Sequence, residues 1–149
     1  MPHALNMTMP LKQDEGSLQA LQQLKATFAD TFQKEIGNAL AESNIVHYAR
    51  ILILDDKYIQ ILTEYDGDKI NYALFFYRKL PNVFRGIFSL VEGAPAIDDL
   101  MQSEDLFVAT SKSFDVRALG TKDDDDEAGW LFSAFEDKTV NDIKLALSK

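Results

Sequence analysis

Three side chains that could carry out chemistry stand close together in an otherwise aliphatic stretch, IVHYARILIL at residues 45–54. His47 could ligate a metal ion or act as a general base near neutral pH. Arg50 could hold a ligand carboxylate through its planar guanidinium, and Tyr48 adds a hydroxyl. Because successive side chains of a strand point to opposite faces, Tyr48 and Arg50 are predicted to share the face opposite to His47. The three side chains are therefore not expected to form one compact cluster.

Each of these residues also has a structural interpretation. His47 has no metal-ligand partner at a useful spacing, which favours a hydrogen bond within the sheet or a position at its edge. Arg50 and Glu64 would form a cross-strand ion pair if the register places them opposite each other, and we prefer this pair to a bound ligand. Thr8 and Tyr58 could add polar contacts inside a pocket. The candidate ligand-binding residues are His47, Arg50, Tyr48, Thr8, Tyr58 and Glu64. No catalytic residue is assigned.

The composition excludes several classes of function. The chain of 149 residues carries 15 Lys and Arg against 24 Asp and Glu, a net charge of −9, so nucleic acid is not an expected partner. It has no cysteine, and the acidic run at residues 123–127 lacks the spaced ligands of a calcium loop, so no metal site is predicted. Without a secretory signal or an apolar run of membrane-spanning length, we expect a cytoplasmic protein that does not enter membranes.

Hydrophobic periodicity predicts the elements that position these side chains. Residues 5–12 alternate between apolar and polar side chains, which indicates a strand that ends near Pro10. Apolar side chains then recur at three- and four-residue steps over residues 18–41, which indicates one long helix with Ser17 as its N-cap. Residues 45–54 and 58–65 are rich in β-branched and aromatic side chains and predict a hairpin with its turn at residues 55–56.

The second half of the chain gives weaker signals. The first predicted elements are a helix at 69–80 capped by Asp66 or Asp68 and its continuation at 82–92 after a break at Pro81. Short helices at 98–102 and 104–114 follow, then a strand or extended loop at 116–120 and an acidic loop at 122–129. The last elements are a strand at 130–135 and a terminal helix opened by a Thr139–Asp142 capping box. The resulting order is β-α-β-β-α-β with extra helices after the second helix and at the C-terminus. This order predicts one ferredoxin-like α+β domain over residues 1–149, with an antiparallel sheet in the order 4-1-3-2 and helices on one face.

The hairpin is predicted to be apolar on both faces. One face would carry Ile45, Ala49, Ile51 and Ile53, and the other Val46, Tyr48, Leu52 and Leu54. Leaving four such side chains exposed would forgo roughly 1.5–3 kcal/mol each, so we expect both faces to be covered. The helices cover one face, and a second copy of the sheet would cover the other. The sequence thus predicts a homodimer.

Four segments carry a resemblance to a known group of proteins: MTMPLK before a long helix, VHYARILILDD, ILTEYDGD, and FSAFEDKTVNDI near the end. Together they resemble the dimeric α+β barrel superfamily, and are most similar to the ferredoxin-like modules of peroxidase-related proteins. That superfamily includes small monooxygenases, haem-degrading enzymes, chlorite dismutases and dye-decolourising peroxidases. The segment EYDGD has the Asp-Gly of the haem-peroxidase pattern but lacks its preceding glycine. The resemblance implies a fold but does not select a reaction.

The leading interpretation is a non-catalytic dimeric α+β barrel protein that binds a small apolar or aromatic ligand in a barrel or sheet–helix cavity. One alternative is a small oxygenase or peroxidase-like enzyme, which could use haem and be assisted by His47, Arg50 or Tyr48. Another is an interaction module for larger redox proteins. The sequence leaves open whether the protein is an enzyme and which ligand it binds.

Overall fold

A computed structural model describes residues 2–120 and 129–148 of the chain. The elements are β1 (Pro2–Pro10), α1 (Glu15–Phe28), a π-helical segment (Ala29–Gln33), α2 (Lys34–Ser43), β2 (Val46–Leu54), β3 (Tyr58–Asp66), α3 (Lys69–Lys79), α4 (Pro81–Phe88), α5 (Ile97–Leu100), α6 (Glu104–Ser113) and α7 (Val140–Leu147). The strands form an antiparallel sheet in the order β1-β3-β2, so the prediction of an α+β protein is confirmed. Among the described residues, no helix is long and apolar enough to cross a membrane. The acidic loop predicted at residues 122–129 lies outside the described residues except for Gly129.

The helix N-termini follow the predicted capping signals, with one exception. Asp68, Ser103 and Thr139 cap α3, α6 and α7, and Thr139 takes part in a complete capping box. α1 begins earlier than predicted, because Asp14 rather than Ser17 is its N-cap. The Asp14 carboxylate accepts the backbone N–H of Ser17 at 2.9 Å and also binds its hydroxyl, so both residues serve the same cap.

One face of the sheet, called the core face, packs against helices. Its buried strand residues are Leu5, Met7, Met9, Ile59, Ile61 and Tyr65. The aromatic side chains of α3 and α4 lie over them: Tyr72 stacks on Tyr65 at 4.3 Å between ring centroids, and Phe76 stacks on Phe84 at 4.6 Å. The aromatic band at residues 72–88 is therefore largely core, since rings buried in this way contribute both area and ring–ring contacts.

The long helix predicted at residues 18–41 is present but contains the π-helical segment Ala29–Gln33. Its apolar side chains from residue 24 onward are spaced by four residues: Leu24, Phe28, Phe32, Ile36 and Leu40. In an α-helix each four-residue step rotates a side chain by about 40°, so a regular helix would turn this row away from the sheet. A wider π-helical turn absorbs part of that rotation, and Ile36 and Leu40 stay in contact with the hydrophobic core.

The hairpin turn lies where it is predicted. Asp55 and Asp56 both have left-handed backbone conformations, with φ of 54° and 52°, and Lys57 donates its N–H to the Leu54 carbonyl at 2.9 Å. Aspartate tolerates this conformation better than most residues that have a side chain. The Asp56 carboxylate also accepts a bond from Lys25 Nζ at 2.9 Å, which ties the turn to α1.

A β-bulge interrupts β2 near its start. Val46 pairs with Tyr65 and Tyr48 pairs with Glu64, so two residues of β3 face three of β2 and His47 is the extra residue. The bulge moves Val46 to the core face, where it is buried, rather than to the face that strict alternation predicts.

The fourth strand predicted at residues 130–135 is wrong, because these residues form no strand. The outer edge of β1, where a fourth strand would pair, is already occupied. Val116 donates its N–H to the Asn6 carbonyl, Thr8 donates to the Phe114 carbonyl, and Asp115 forms an isolated bridge with Met7. The segment 114–116 therefore occupies the position of the predicted strand, which leaves the apolar run 130–135 no place beside β1.

The opposite face of the sheet, called the open face, is partly exposed in the single chain within the described residues. The sequence predicts that a second copy covers it. Its side chains alternate between polar ones, such as Thr8, Gln60 and Glu64, and apolar ones. Tyr48 is 78% exposed and Tyr58 is 46% exposed. The face is therefore mixed in character rather than uniformly apolar, because β1 contributes small and polar side chains to it.

Candidate functional site

The core face carries an apolar opening between the sheet and the long helix, called the α2 cleft. It has a volume of about 160 Å³, and its apolar walls include Ile36, Leu40, Ile51, Ile61, Val83 and Phe84. The floor comes from β2 and β3, one wall from α2 and the other from α4. The cleft exists because the helical stretch at residues 15–43 packs loosely: within it, Leu21 is the one buried side chain.

A second opening, called the α1 cleft, lies further along the same face. It has a volume of about 170 Å³ and is lined by Leu24, Lys25, Phe28, Ile51, Ile53, Ile59 and Ile87. Phe28 and Ile51 line both clefts. The two openings are therefore neighbours that meet at these two residues.

The lining of the α2 cleft is almost entirely apolar. In the part of the chain that the structure describes, its lining includes no carboxylate, imidazole or hydroxyl side chain. Gln33 supplies a polar side chain; Arg50 also borders the cleft, but its pairing with Leu62 places its side chain on the open face. Arginine stays protonated in proteins and glutamine does not titrate, so neither can act as a general base. Aliphatic and aromatic walls with a few polar groups at one side are typical of small-molecule sites.

His47 lies on the other side of the sheet, within a hydrogen-bonded link between three elements. Its Nε2 is 3.0 Å from Asp66 Oδ1, and Asp66 Oδ2 accepts the backbone N–H of Val140 at 2.8 Å. The two side chains are only 14% and 10% exposed. Asp66 thus joins β2, β3 and the first turn of α7, which gives His47 a structural partner.

Arg50 and Glu64 are not opposite each other, so the predicted direct cross-strand pair is wrong. Arg50 faces Leu62 in the register, while Glu64 faces Tyr48, which makes Arg50 and Glu64 diagonal neighbours. Burial raises the pKa of the Glu64 carboxyl, and the positive charges of Arg50 and His47 oppose this rise. Arg50 therefore acts on Glu64 as a charge through space.

The bulge also changes which candidates lie together. His47, Tyr48 and Glu64 line one hollow of about 240 Å³ with Pro2 and the segment 131–135. The expectation that His47 lies opposite to Tyr48 is therefore wrong, because the extra residue resets the alternation of β2. Tyr48 is largely exposed at the rim of this hollow.

Thr8 and Tyr58 lie elsewhere on the open face. Thr8 Oγ1 accepts a bond from Gln60 Nε2 at 3.2 Å, in the middle of the sheet. Tyr58 stands next to the hairpin turn, at the end of the sheet far from Asp66. Residues 60 and 64 of one strand are about 13 Å apart, so Thr8 and Tyr58 do not join the group around Glu64.

A metal or haem site does not fit this group. Among the described residues, no three His, Cys, Asp or Glu side chains are arranged to hold a metal ion. The Nε2 atom of His47 is bonded to Asp66, and the side chain is largely buried. A haem that used this nitrogen would have to break the link to Asp66.

No family model, curated protein or solved structure matches the chain. The sequence did contain a signal for the α2 cleft, namely the run of four-residue steps that includes Ile36 and Leu40. Such spacing matches neither a regular α-helix nor a strand, and it marks the π-helical segment beside the cleft.

Proposed function

We propose that this protein binds a small apolar or aromatic molecule in the α2 cleft. The observation that supports the proposal is an apolar opening between sheet and helices whose walls include Ile36, Leu40, Ile61 and Phe84. The surrounding helix is held by few buried side chains, so a ligand can enter without disrupting the core formed by α3 and α4.

The size of the cleft limits the ligand. An apolar protein cavity of about 150 Å³ is large enough to bind benzene. The α2 cleft, with about 160 Å³, therefore suits a single ring or a short branched hydrocarbon group. Gln33 at the margin of the cleft can hydrogen-bond to one polar substituent of such a ligand.

An oxygenase or peroxidase-like enzyme has less support from the geometry. The titratable candidates His47 and Glu64 are on the open face, and the sheet separates them from the α2 cleft. A general base must come within hydrogen-bonding reach of its substrate. Binding in the α2 cleft would therefore keep a ligand away from these residues.

The test is to fill the cleft. Ala49 lines it and is exposed, so Ala49→Phe should place a ring in the opening without disturbing the buried core. We expect toluene to shift the methyl signals of Ile51 and Ile61 in the parent protein, and Ala49→Phe to weaken its affinity at least tenfold. An affinity that Ala49→Phe leaves unchanged would place the toluene outside this cleft.

Ala109→Phe is the matched control. Ala109 is an exposed alanine on α6 and lines neither cleft. The control should therefore bind toluene as the parent does. Equal losses in both variants would mean that added aromatic surface, and not occupation of the cleft, causes the effect.

We also propose that the open face pairs with a second copy of the chain, as the sequence predicts. This is supported by Tyr48, Leu54 and Tyr58, which are 78%, 40% and 46% exposed on one surface. Covering them would contribute to the roughly 800 Å² per partner that a stable interface buries. The polar side chains of the open face are compatible with such a pairing, because interfaces commonly include hydrogen bonds and bridging waters.

Sedimentation velocity tests this pairing. Tyr48→Lys should convert a dimer to a monomer, because a second positive charge beside Arg50 would be buried in each half of the interface. Leu119→Lys is the control, since Leu119 is 93% exposed and lies outside the sheet. A parent chain that sediments as a monomer at all concentrations would refute the pairing. A dimer that only Leu119→Lys disrupts would place the interface away from the sheet, where an interaction module could be expected.

A further inference from the structure

The α2 cleft and the α1 cleft are two parts of one groove along the core face. Ile51 pairs with Ile61 in the register, and the next pair on this face is Ile53 with Ile59. The first pair belongs to the floor of the α2 cleft and the second to that of the α1 cleft. Two residues along a strand correspond to about 7 Å, so the floors are contiguous.

Phe28 lies at the boundary between the two parts of this groove. It lines both clefts, as does Ile51 on the sheet. Phe28 is also the last residue of α1, directly before the π-helical segment. Its ring meets the Phe32 ring edge-on at 5.9 Å, and Phe32 in turn lies near Gly86 of α4. The irregular turn thus sets the position of the dividing ring.

Both parts of the groove favour hydrocarbon. The α1 cleft has four isoleucines in its lining, and its charged member, Lys25, is bonded to Asp56 at 2.9 Å. The α2 cleft is walled by aliphatic and aromatic side chains. Each part has room for a group of about the size of one ring, whereas the undivided groove would have room for an extended chain.

We infer that Phe28 sets the upper length limit of the ligand, restricting it to compact apolar molecules and excluding extended aliphatic chains. This inference rests on the proposed binding function of the α2 cleft. A chain that enters the α2 cleft meets the Phe28 ring before it reaches the α1 cleft. With the ring removed, the same chain continues over Ile53 and Ile59.

A series of linear 1-alkanols from butanol to decanol tests the inference. Each methylene that becomes buried should raise the affinity about fourfold. In the parent protein the affinity should stop rising before the end of the series, at the length where the chain reaches Phe28. In Phe28→Ala the affinity should continue to rise over at least two further methylenes. Binding is followed by the methyl signals of Ile51, which lines both clefts, and of Ile53, which lines the α1 cleft but not the α2 cleft.

The matched control is Leu18→Ala, which shortens another partly buried apolar side chain of α1. Leu18 lines neither cleft, so this variant should keep the length limit of the parent. Phe28→Leu retains an apolar side chain and keeps the test available if Phe28→Ala does not fold. It should give an intermediate limit.

The outcomes separate the two proposals. If alkanols bind the parent but both Phe28 variants keep the length limit of the parent, or if Leu18→Ala shifts the limit as much as Phe28→Ala does, the role of Phe28 is refuted and the binding function stands. If no alkanol of any length moves the Ile51 signals of the parent protein, the binding function and the role of Phe28 both fail.

Discussion

At the scale of residues, the bulged part of β2 is held by a short chain of buried hydrogen bonds. Thr63 donates its hydroxyl proton to the Tyr48 carbonyl at 2.9 Å, and the Tyr72 hydroxyl lies 2.6 Å from Thr63 Oγ1. A threonine hydroxyl has one proton, so Tyr72 must be the donor to Thr63. Burial raises the pKa of Tyr72, which keeps its hydroxyl protonated and able to donate.

This chain predicts an order of stability for two variants. Tyr72→Phe removes one donor but leaves Thr63 bonded to Tyr48, so it should cost about 1 kcal/mol. Thr63→Val leaves both the Tyr72 hydroxyl and the Tyr48 carbonyl without their partner, and should cost more, roughly 2–4 kcal/mol. Urea unfolding measures both values. A Thr63→Val variant as stable as Tyr72→Phe would contradict the assigned direction of the bonds.

Glu64 predicts a pH dependence of stability. Its pKa is raised by burial above the ordinary value of 4.5, so the folded protein holds the proton more tightly than the unfolded chain does. The favourable contribution of Glu64 is complete below pH 4.5 and is lost as the pH rises through the raised value. Glu64→Gln cannot ionise, so it should be more stable than the parent at pH 7, with a smaller difference at pH 4. Melting temperatures of both proteins at the two pH values test this. A stabilisation by Glu64→Gln that is larger at pH 4 than at pH 7 would contradict the prediction.

At the scale of elements, α7 is anchored to the sheet by Asp66. The carboxylate accepts the N–H of Val140, the first residue of the helix, and it also contacts His47. Asp66→Ala should release this end of α7 and increase the hydrogen exchange of residues 140–147. Lys144→Met removes only exposed contacts, to Ala41 and Asn44, and should have a smaller effect. Equal exchange in Asp66→Ala and the parent would mean that α7 is held by other contacts.

Local patterns predicted most of the elements correctly. The hairpin, the caps at Asp68 and Ser103, and the Thr139–Asp142 capping box each depend on residues within a few positions of one another. The bulge at His47 could not be predicted in this way, because its partners Asp66 and Thr63 are 15 or more residues away. For the same reason its effect on the candidate site, which brings His47 beside Tyr48, was missed.

The prediction of a fourth strand is wrong because the apolar pattern at residues 130–135 does not show whether the edge of β1 is available for pairing. Residues 130–135 have the composition of a buried strand, but a strand also needs a free edge. Asp115 secures the edge of β1 instead, since it accepts the N–H of Asn6 at 2.8 Å and pairs with Lys69 at 2.7 Å. These contacts join residues distant in sequence, so periodicity does not reveal them.

At the scale of the whole molecule, we propose ligand binding for the core face of the sheet and self-association for the open face. α3 and α4 supply most of the buried helical side chains of the core, while the long helix at residues 15–43 covers the rest of the core face loosely and leaves the groove. The open face carries the polar group around Glu64 and the exposed tyrosines. Ligand binding and self-association would therefore be independent, and Tyr48→Lys should leave toluene affinity unchanged in a titration followed by the Ile51 methyl signals.

The most direct test of the binding function is diffraction from crystals of the full chain equilibrated with xenon, which enters apolar cavities of about this size. We expect xenon density in the α2 cleft, in contact with Ile51, Ile61 and Phe84. Xenon bound only at other sites, with the α2 cleft filled by ordered water or by repositioned side chains, would contradict it.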